Sequence, residues 1–414
     1  MNELAIKARL ATNADQCVKC GLCLPHCPTY RELRDEADSP RGRIALIQGM
    51  VDEQLEDSPS LQRHLGGCLA CRACESVCPS LVRFGEIMDD ARALSRRRRS
   101  AFRRLLHRAW LGSLSSTVGA RAAAWSSMIY RCTGLARLSE WSGLVRWPFA
   151  GAIHRLAIQL QQPPDTSLAH QPATTSSRKI ALFLGCIARA AQPGVIDAAV
   201  AVLQRLGFAM EIPQNQVCCG AMHRHNGLPE QAGQLLSINA DAFEGRTAVG
   251  IASACIAELR SHKGLAEAQD ICRLLADLDW PEHAPLCPLP SRVAVHEPCS
   301  QRNMLRDGSA AYDLLRHIPD IELLALPDNA FCCGAAGTYL IQRPQMSRAL
   351  LQPKLDVLAH LMPEILVTTN TGCSLHLAAG IREAGLAIEI MHPVELIARQ
   401  LAPKSNRVTT SAPS

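Results

Sequence analysis

Sixteen of the 19 cysteines in this 414-residue chain fall into patterned groups, and patterned thiolates are ligands for soft metals. Cys17, Cys20, Cys23 and Cys27 lie in CVKCGLCLPHCP, and Cys68, Cys71, Cys74 and Cys78 in CLACRACESVCP. Both stretches read C-x2-C-x2-C-x3-C-P, the run that holds a [4Fe–4S] cluster. Three thiolates on one tight loop reach three irons of a cubane face, and where two such runs occur the fourth cysteine of each crosses to the other cluster. The expected sets are therefore Cys17, Cys20, Cys23 and Cys78 for one cluster, and Cys68, Cys71, Cys74 and Cys27 for the second. Pro28 and Pro79 fix φ just after each crossing ligand and add no backbone donor. A pair of zinc sites is the competing reading, and two complete copies of the run stand against it.

A second device is repeated further along. VCCGAM at 217–222 and FCCGAAG at 331–337 put Cys218 beside Cys219 and Cys332 beside Cys333. Adjacent cysteines seldom bridge to each other without strain, and zinc knuckles space their ligands two to four residues apart. Adjacent thiolates can instead bind neighbouring metals, or one can bridge two, while Gly220 or Gly334 leaves no Cβ between the main chain and a bulky inorganic cluster. Each pair has an upstream and a downstream cysteine: Cys186 and Cys255 for the first, Cys299 and Cys373 for the second. Equivalent cysteines are 113, 114 and 118 residues apart, which marks an internal duplication. One or two further iron–sulfur clusters are expected here; unligated thiols are the plainer alternative, because Cys also packs as a small apolar residue.

The elements that must position these thiols can be read around them. SPRGRIALIQGMVDEQL, between the two ferredoxin-type runs, reads as a helix with Ser39 as N-cap, Pro40 in the first turn and Ile44, Ile47 and Val51 at helical spacing. From residue 179 short apolar runs alternate with helical patterns, as in α/β units. KIALFLGC, FAMEI and TAVGIASAC read as strands leading to Cys186, to Cys218 and Cys219, and to Cys255; RVAVHEPC, IELLALPDNAFCCG and EILVTTNTGC repeat that order. Every cysteine of each copy then follows a strand, where open α/β sheets gather ligands. The expected fold class is α plus α/β. It comprises a helical two-cluster domain over 1–95, an Arg-rich helical segment and Pro/Ser/Thr linker over 96–178, cysteine-rich domains over 179–290 and 291–403, and a flexible tail over 404–414.

The N-terminus carries no secretory signal and no segment reads as a transmembrane helix, so the chain is expected to be cytoplasmic, with peripheral membrane contact as an option. Residues 91–160 hold 13 arginines, no lysine and one acid, Glu140; their +12 leaves −7 for the remainder of a chain whose net charge is +5. SRRRRSAFRRLLHRAW, 95–110, reads as one helix carrying Arg96 to Arg99, Arg103, Arg104 and Arg108 around an apolar stripe of Phe102, Leu105, Leu106 and Trp110. The stripe could pack on its own domain, or the helix could meet an anionic lipid surface or an acidic partner subunit. An aromatic content of 4% without a binding motif argues against nucleic acid. Cys132, Cys272 and Cys287 stand alone and read as inert thiols. His223, His225 and His296 lie near the paired cysteines and could tune or ligate a cluster, although nothing in their spacing demands a metal. No dinucleotide fingerprint, P-loop or Ser/His/Asp arrangement is found. One-electron carriers without a flavin or nicotinamide site move electrons but cannot take a hydride from an organic substrate.

The CCG units resemble the cysteine-rich domain of heterodisulfide reductase, a family whose CCG domains hold iron–sulfur clusters, including a non-cubane type that uses an extra C-x2-C at the downstream position. Here the third residue after Cys255 is Glu258 and the third after Cys373 is His376, so each unit offers four cysteines instead of five. The whole order, from the ferredoxin-type runs and SPRGRI to the CCG units ending TGCSLHL, resembles the iron–sulfur subunit of bacterial glycolate oxidase. Subunits of lactate-utilisation systems and of anaerobic glycerol-3-phosphate dehydrogenase look similar in cysteine pattern. The resemblance implies an electron-relay subunit of a 2-hydroxyacid dehydrogenase, with FAD and the substrate chemistry on a partner subunit and a quinone-type acceptor. The alternative is thiol or disulfide chemistry at a CCG cluster, which Glu258 and His376 disfavour.

Overall fold

The computed structural model describes residues 3–97, 100–160 and 179–402; Arg98, Arg99, the expected linker at 161–178 and the expected tail at 404–414 lie outside the described residues. The N-terminal part is helical: α1 (Glu3–Ala14), α2 (Pro28–Leu33), α3 (Pro40–Val51), α4 (Pro59–Gly66), α5 (Ala73–Ser76) and α6 (Phe84–Arg97). Ile6, Leu10 and Ala14 of α1 recur every four residues and close on Ile44, Ile47 and Met50 of α3 and Ile87 and Ala91 of α6. α3 begins as its sequence implies, with Ser39 Oγ accepting from the Gly42 amide at 2.9 Å and Pro40 in the first turn.

The two cysteine runs link these helices, and both turn in the same way. Left-handed φ at Lys19 (55°) and Gly21 (85°) recurs at the matching places, Ala70 (54°) and Arg72 (55°). Such a conformation costs a non-glycine residue about 1–2 kcal/mol.

The Arg-rich run departs from expectation. SRRRRSAFRRLLHRAW is not one helix: α6 ends at Arg97, and α7 (Ala101–Ser115) starts afresh behind Ser100, whose hydroxyl caps the new turn. Serine competes with the helical backbone for its own hydrogen bonds, so it restarts a helix more readily than it continues one. Arg96 is buried and donates to the Arg104 carbonyl at 3.0 Å, and Arg97 pairs with Glu230 at 3.1 Å. These two arginines serve the interior and an inter-element contact, not a solvated charge face. After α8 (Thr117–Cys132), α9 (Leu135–Trp141) and α10 (Pro148–Ala157), the segment rests on the rest of the molecule through small residues, among them Ala120, Ala124, Ser127 and Ala152. Leu111 is buried, but many of the large apolar residues point outward. Phe102 is 68% and Leu105 63% exposed, so the stripe is not covered by its own domain.

Two four-stranded sheets follow. β1 (Lys179–Phe183), β2 (Ala209–Glu211), β3 (Ala248–Gly250) and β4 (Gln269–Asp270) lie in the order β2-β1-β3-β4. β5 (Arg292–His296), β6 (Glu322–Ala325), β7 (Ile365–Thr368) and β8 (Glu389–Met391) repeat that order as β6-β5-β7-β8, and all pairs are parallel. β4 and β8 escaped the sequence reading, since two or three residues are too few to show an alternating pattern. In each sheet the chain leaves the first strand to one side and returns on the other, opening a crevice at the C-terminal ends of β1 and β3, and of β5 and β7. The copies share one core, in which Leu182 and Val200 of the first meet Val293, Leu314 and Val394 of the second. The last helix, Pro393–Gln400, packs on Pro193–Arg205 of the first copy.

Candidate metal centres

The expected ligands lie on the two ferredoxin-type loops and at the crevices of the two CCG units. Cys17, Cys23 and Cys78 are half-buried against the N-terminal core, with Cys20 exposed on the same loop. Burial pushes the Cys23 thiol up to about 11. Cys27, Cys68, Cys71 and Cys74 are all buried and line one pocket together with Thr29, Arg43 and Phe84. Cys27 thus shares a pocket with the three thiols of the second loop. Burial, and then the charge of neighbouring thiols, pushes the Cys71 and Cys74 thiols well above their ordinary range. Cys71 and Cys74 are therefore poor thiolates until a cation offsets their desolvation, which is the demand a metal–sulfur centre meets.

Arg43 is the residue that sequence reasoning passed over. It is 1% exposed and donates to Asp38 Oδ1 at 2.8 Å, to the His64 carbonyl at 2.8 Å and to Thr29 Oγ1 at 3.1 Å. It thus ties the segment after Cys27 to the helix before Cys68. The available signal was its phase: Arg43 precedes Ile47 by four residues and so falls on the buried face of α3.

In the first CCG unit Cys186 opens the helix Cys186–Ala191, Cys218 and Cys219 are buried, and Cys255 lies on Ser253–Leu259. Cys186 and Cys218 Sγ are 3.5 Å apart. In the second unit Cys333 and Cys373 Sγ are 3.2 Å apart, with Cys332 buried and Cys299 half-buried. The glycine after each pair does the same two things. Gly220 (φ 95°) donates its amide to Cys218 Sγ at 3.5 Å, and Gly334 (φ 90°) donates to Cys332 Sγ at 3.5 Å. A hydrogen bond from Cys186 and then Cys219 holds Cys218 well below the ordinary thiol range; Cys332 and then Cys373 do the same for Cys333. The structure therefore favours thiolate at one member of each adjacent pair.

The positions where a fifth cysteine would stand are otherwise engaged. Glu258 is buried and accepts from Arg224 Nε at 2.6 Å, while His376 Nε2 donates to the Ser347 carbonyl at 3.1 Å. His225 faces Asp89 of α6 at 3.4 Å, a contact between elements and not a cluster contact. Cys272 packs in the shared core, and Cys132 and Cys287 are exposed. The second ferredoxin-type loop abuts the second CCG unit: Leu69, Cys71, Ala73, Cys332 and Tyr339 form one buried cluster, with Cys299 packed against it. Tyr339 donates its hydroxyl to the Gly67 carbonyl at 3.1 Å.

Residues 13–82 match the family model of a 4Fe-4S dicluster domain, and residues 180–257 and 293–378 match that of a cysteine-rich domain. The glycolate oxidase iron–sulfur subunit of Escherichia coli (strain K12) is 30% identical over 93% of this chain and 93% of its own. The chain belongs to the glycolate oxidase iron–sulfur subunit family. A probable member from Bacillus subtilis (strain 168) is 29% identical over 94% of both chains. The CoM/CoB fumarate reductase of Methanothermobacter marburgensis has a component that is 24% identical over 92% of this chain and 71% of its own. Membership in the family makes this chain an iron–sulfur electron-transfer subunit of an oxidoreductase, with the helical and duplicated α/β fold that its sequence implied. No helix among the described residues is long and apolar enough to cross a membrane.

Proposed function

We propose that this chain takes electrons from FAD on a separate 2-hydroxyacid dehydrogenase subunit and passes them to a quinone-type acceptor, in the cytoplasm or on the inner face of the cell membrane. Glycolate, oxidised to glyoxylate, is the first candidate substrate and D-lactate the second. Bound clusters supply one-electron transfer; the protein holds them and sets their order. The ligand sets are Cys17, Cys20, Cys23 with Cys78; Cys68, Cys71, Cys74 with Cys27; Cys186, Cys218, Cys219 and Cys255; and Cys299, Cys332, Cys333 and Cys373. The observation that carries the reading is the buried cluster that holds Cys71 together with Cys332 and the adjoining Cys299, which joins the dicluster part to the second CCG unit. Four thiols per CCG unit, with Glu258 and His376 engaged elsewhere, favour relay over thiol–disulfide chemistry.

Purification under anaerobic conditions, with and without the flavoprotein, tests this. The chain alone should hold about eight irons in its dicluster part and more in the CCG units, and should not oxidise glycolate. With the flavoprotein present, glycolate should reduce the clusters. Reduction of a disulfide substrate by the chain without a flavoprotein would replace the relay by thiol chemistry.

The exposed apolar face of α7 to α10 is a surface for anionic lipid in this reading. Trp141 and Trp147 are 85% and 73% exposed, and the exposed arginines Arg103, Arg108, Arg121, Arg131, Arg137 and Arg146 share the segment with a single acid. Aromatic side chains among arginines suit the boundary between headgroups and acyl chains, where a quinone pool is accessible.

A further inference from the structure

The two CCG units are not chemically equivalent at their crevices. β1 ends in Phe183, three residues before Cys186, and Phe183 pairs in register with Gly250 of β3 and packs on Phe243 at 6.0 Å. β5 ends in His296, three residues before Cys299, and pairs in register with Thr368 of β7. The duplication thus puts an imidazole where the first copy has a phenyl ring.

His296 is 1% exposed, and neither of its ring nitrogens meets a nitrogen or oxygen partner. One ring nitrogen lies with Cys333 Sγ and Cys373 Sγ in a group whose members are all within 4.8 Å of one another. Two more buried polar atoms near this crevice lack partners: Thr368 Oγ1, beside His296 in register, and Gln301 Nε2, two residues after Cys299. Leaving a buried imidazole without a nitrogen or oxygen partner is costly, and several such atoms at one switch point mark a place where something polar or metallic completes the bonding. Neutral imidazole and thiolate together form a donor set for iron, and two sulfurs 3.2 Å apart with a nitrogen beside them can share one metal ion.

We propose that His296 is a nitrogen ligand to the metal centre of the second CCG unit, sharing one iron with Cys333 and Cys373, at a place where the first unit has Phe183. The inference rests on the iron–sulfur reading of this unit. Imidazole supplies a further donor without the charge that another thiolate would add, as in centres where histidine stands in for cysteine.

The test is pulsed EPR on the full-length protein, purified anaerobically after growth with 15N-labelled histidine, beside metal analysis and redox titration. The expected result is a directly bonded histidine nitrogen that responds to the label. In His296→Phe, which copies the other repeat and keeps the crevice filled, the nitrogen signal should vanish and the potential of one cluster should shift. The labelled wild-type measurement does not depend on how that variant folds. Iron at this site without a bonded histidine nitrogen, or a nitrogen signal that persists in His296→Phe, would overturn the ligand assignment and leave the relay standing. Iron confined to the dicluster part and unchanged in Cys333→Ser would remove both.

Discussion

Asn303 Nδ2 donates to the carbonyl oxygen of Cys71 at 2.8 Å, so the turn that follows Cys299 is fastened to the loop that carries three thiols of the second ferredoxin-type site. The two residues are 232 positions apart in sequence. Asn303→Leu should leave iron content unchanged, cost about 1 kcal/mol of stability and slow electron transfer from the N-terminal clusters into the CCG centre. Rapid-freeze EPR after reduction would follow that step; a wild-type rate would show that the contact positions nothing.

The crossing of ligands gives a sharper pattern. Cys27 lines a pocket with Cys68, Cys71 and Cys74. Cys27→Ser combined with Cys71→Ser should damage one cluster, about four irons, whereas Cys27→Ser combined with Cys20→Ser should damage both, about eight. Iron counts in the reverse order would assign Cys27 to its own loop.

A Cβ at position 334 would lie 2.6 Å from the Ser347 carbonyl oxygen, in a backbone with φ +90°. Gly334→Ala should therefore destabilise the second CCG unit by roughly 3 kcal/mol and lower its iron occupancy. Gly385, with φ +66° and open space around it, isolates the backbone part, and Gly385→Ala should cost only about 1 kcal/mol. Thermal unfolding of the two variants side by side separates crowding from strain.

Asp270 caps the helix Ile271–Ala276, its Oδ1 accepting from the Cys272 amide at 2.9 Å, while the buried Oδ2 has no partner. Burial raises its carboxyl from 3.8 to about 7. The folded chain then retains a proton that the unfolded chain releases near pH 4, so this group's contribution falls as pH rises from about 4 to 7 and is constant above. Asp270→Asn keeps the capping oxygen and removes the titration. Relative to wild type it should gain stability steadily between about pH 4 and 7, towards a difference on the order of 4 kcal/mol, as read from unfolding at a series of pH values. A pH-independent difference between the two proteins would place the Asp270 titration outside that window.

The lipid surface is tested with vesicles of phosphatidylcholine with and without phosphatidylglycerol. Wild-type protein should sediment with the anionic vesicles only. Trp141→Ser with Trp147→Ser should abolish binding, and Arg137→Gln with Arg146→Gln should weaken it roughly tenfold or more and move release to lower salt. Sedimentation that ignores all four changes, with loss of the flavoprotein complex instead, would make this face a protein interface.

How much of this was legible in sequence depended on the range over which each feature is encoded. The cysteine runs, the capped helix after Ser39 and the duplication at an offset of 113 to 118 residues are written in contiguous or regularly spaced residues, so spacing alone set the cysteine groups and the helical and α/β fold classes. The sequence also showed that arginines crowd 91–160, but not which way they face: Ser100 divides the run, Arg96 turns inward, and Phe102 and Leu105 turn out because small residues on neighbouring helices take the inner contacts. Three histidines near the paired cysteines looked alike in sequence. The register of β5 with β7 put His296 at the second crevice and burial left one ring nitrogen of His223 unpartnered, while His225 was drawn to Asp89 of α6. The contacts of Cys71 with Asn303 and Cys332 likewise join residues more than 200 positions apart. Such pairings arise when buried surfaces settle against one another, and no local periodicity carries them.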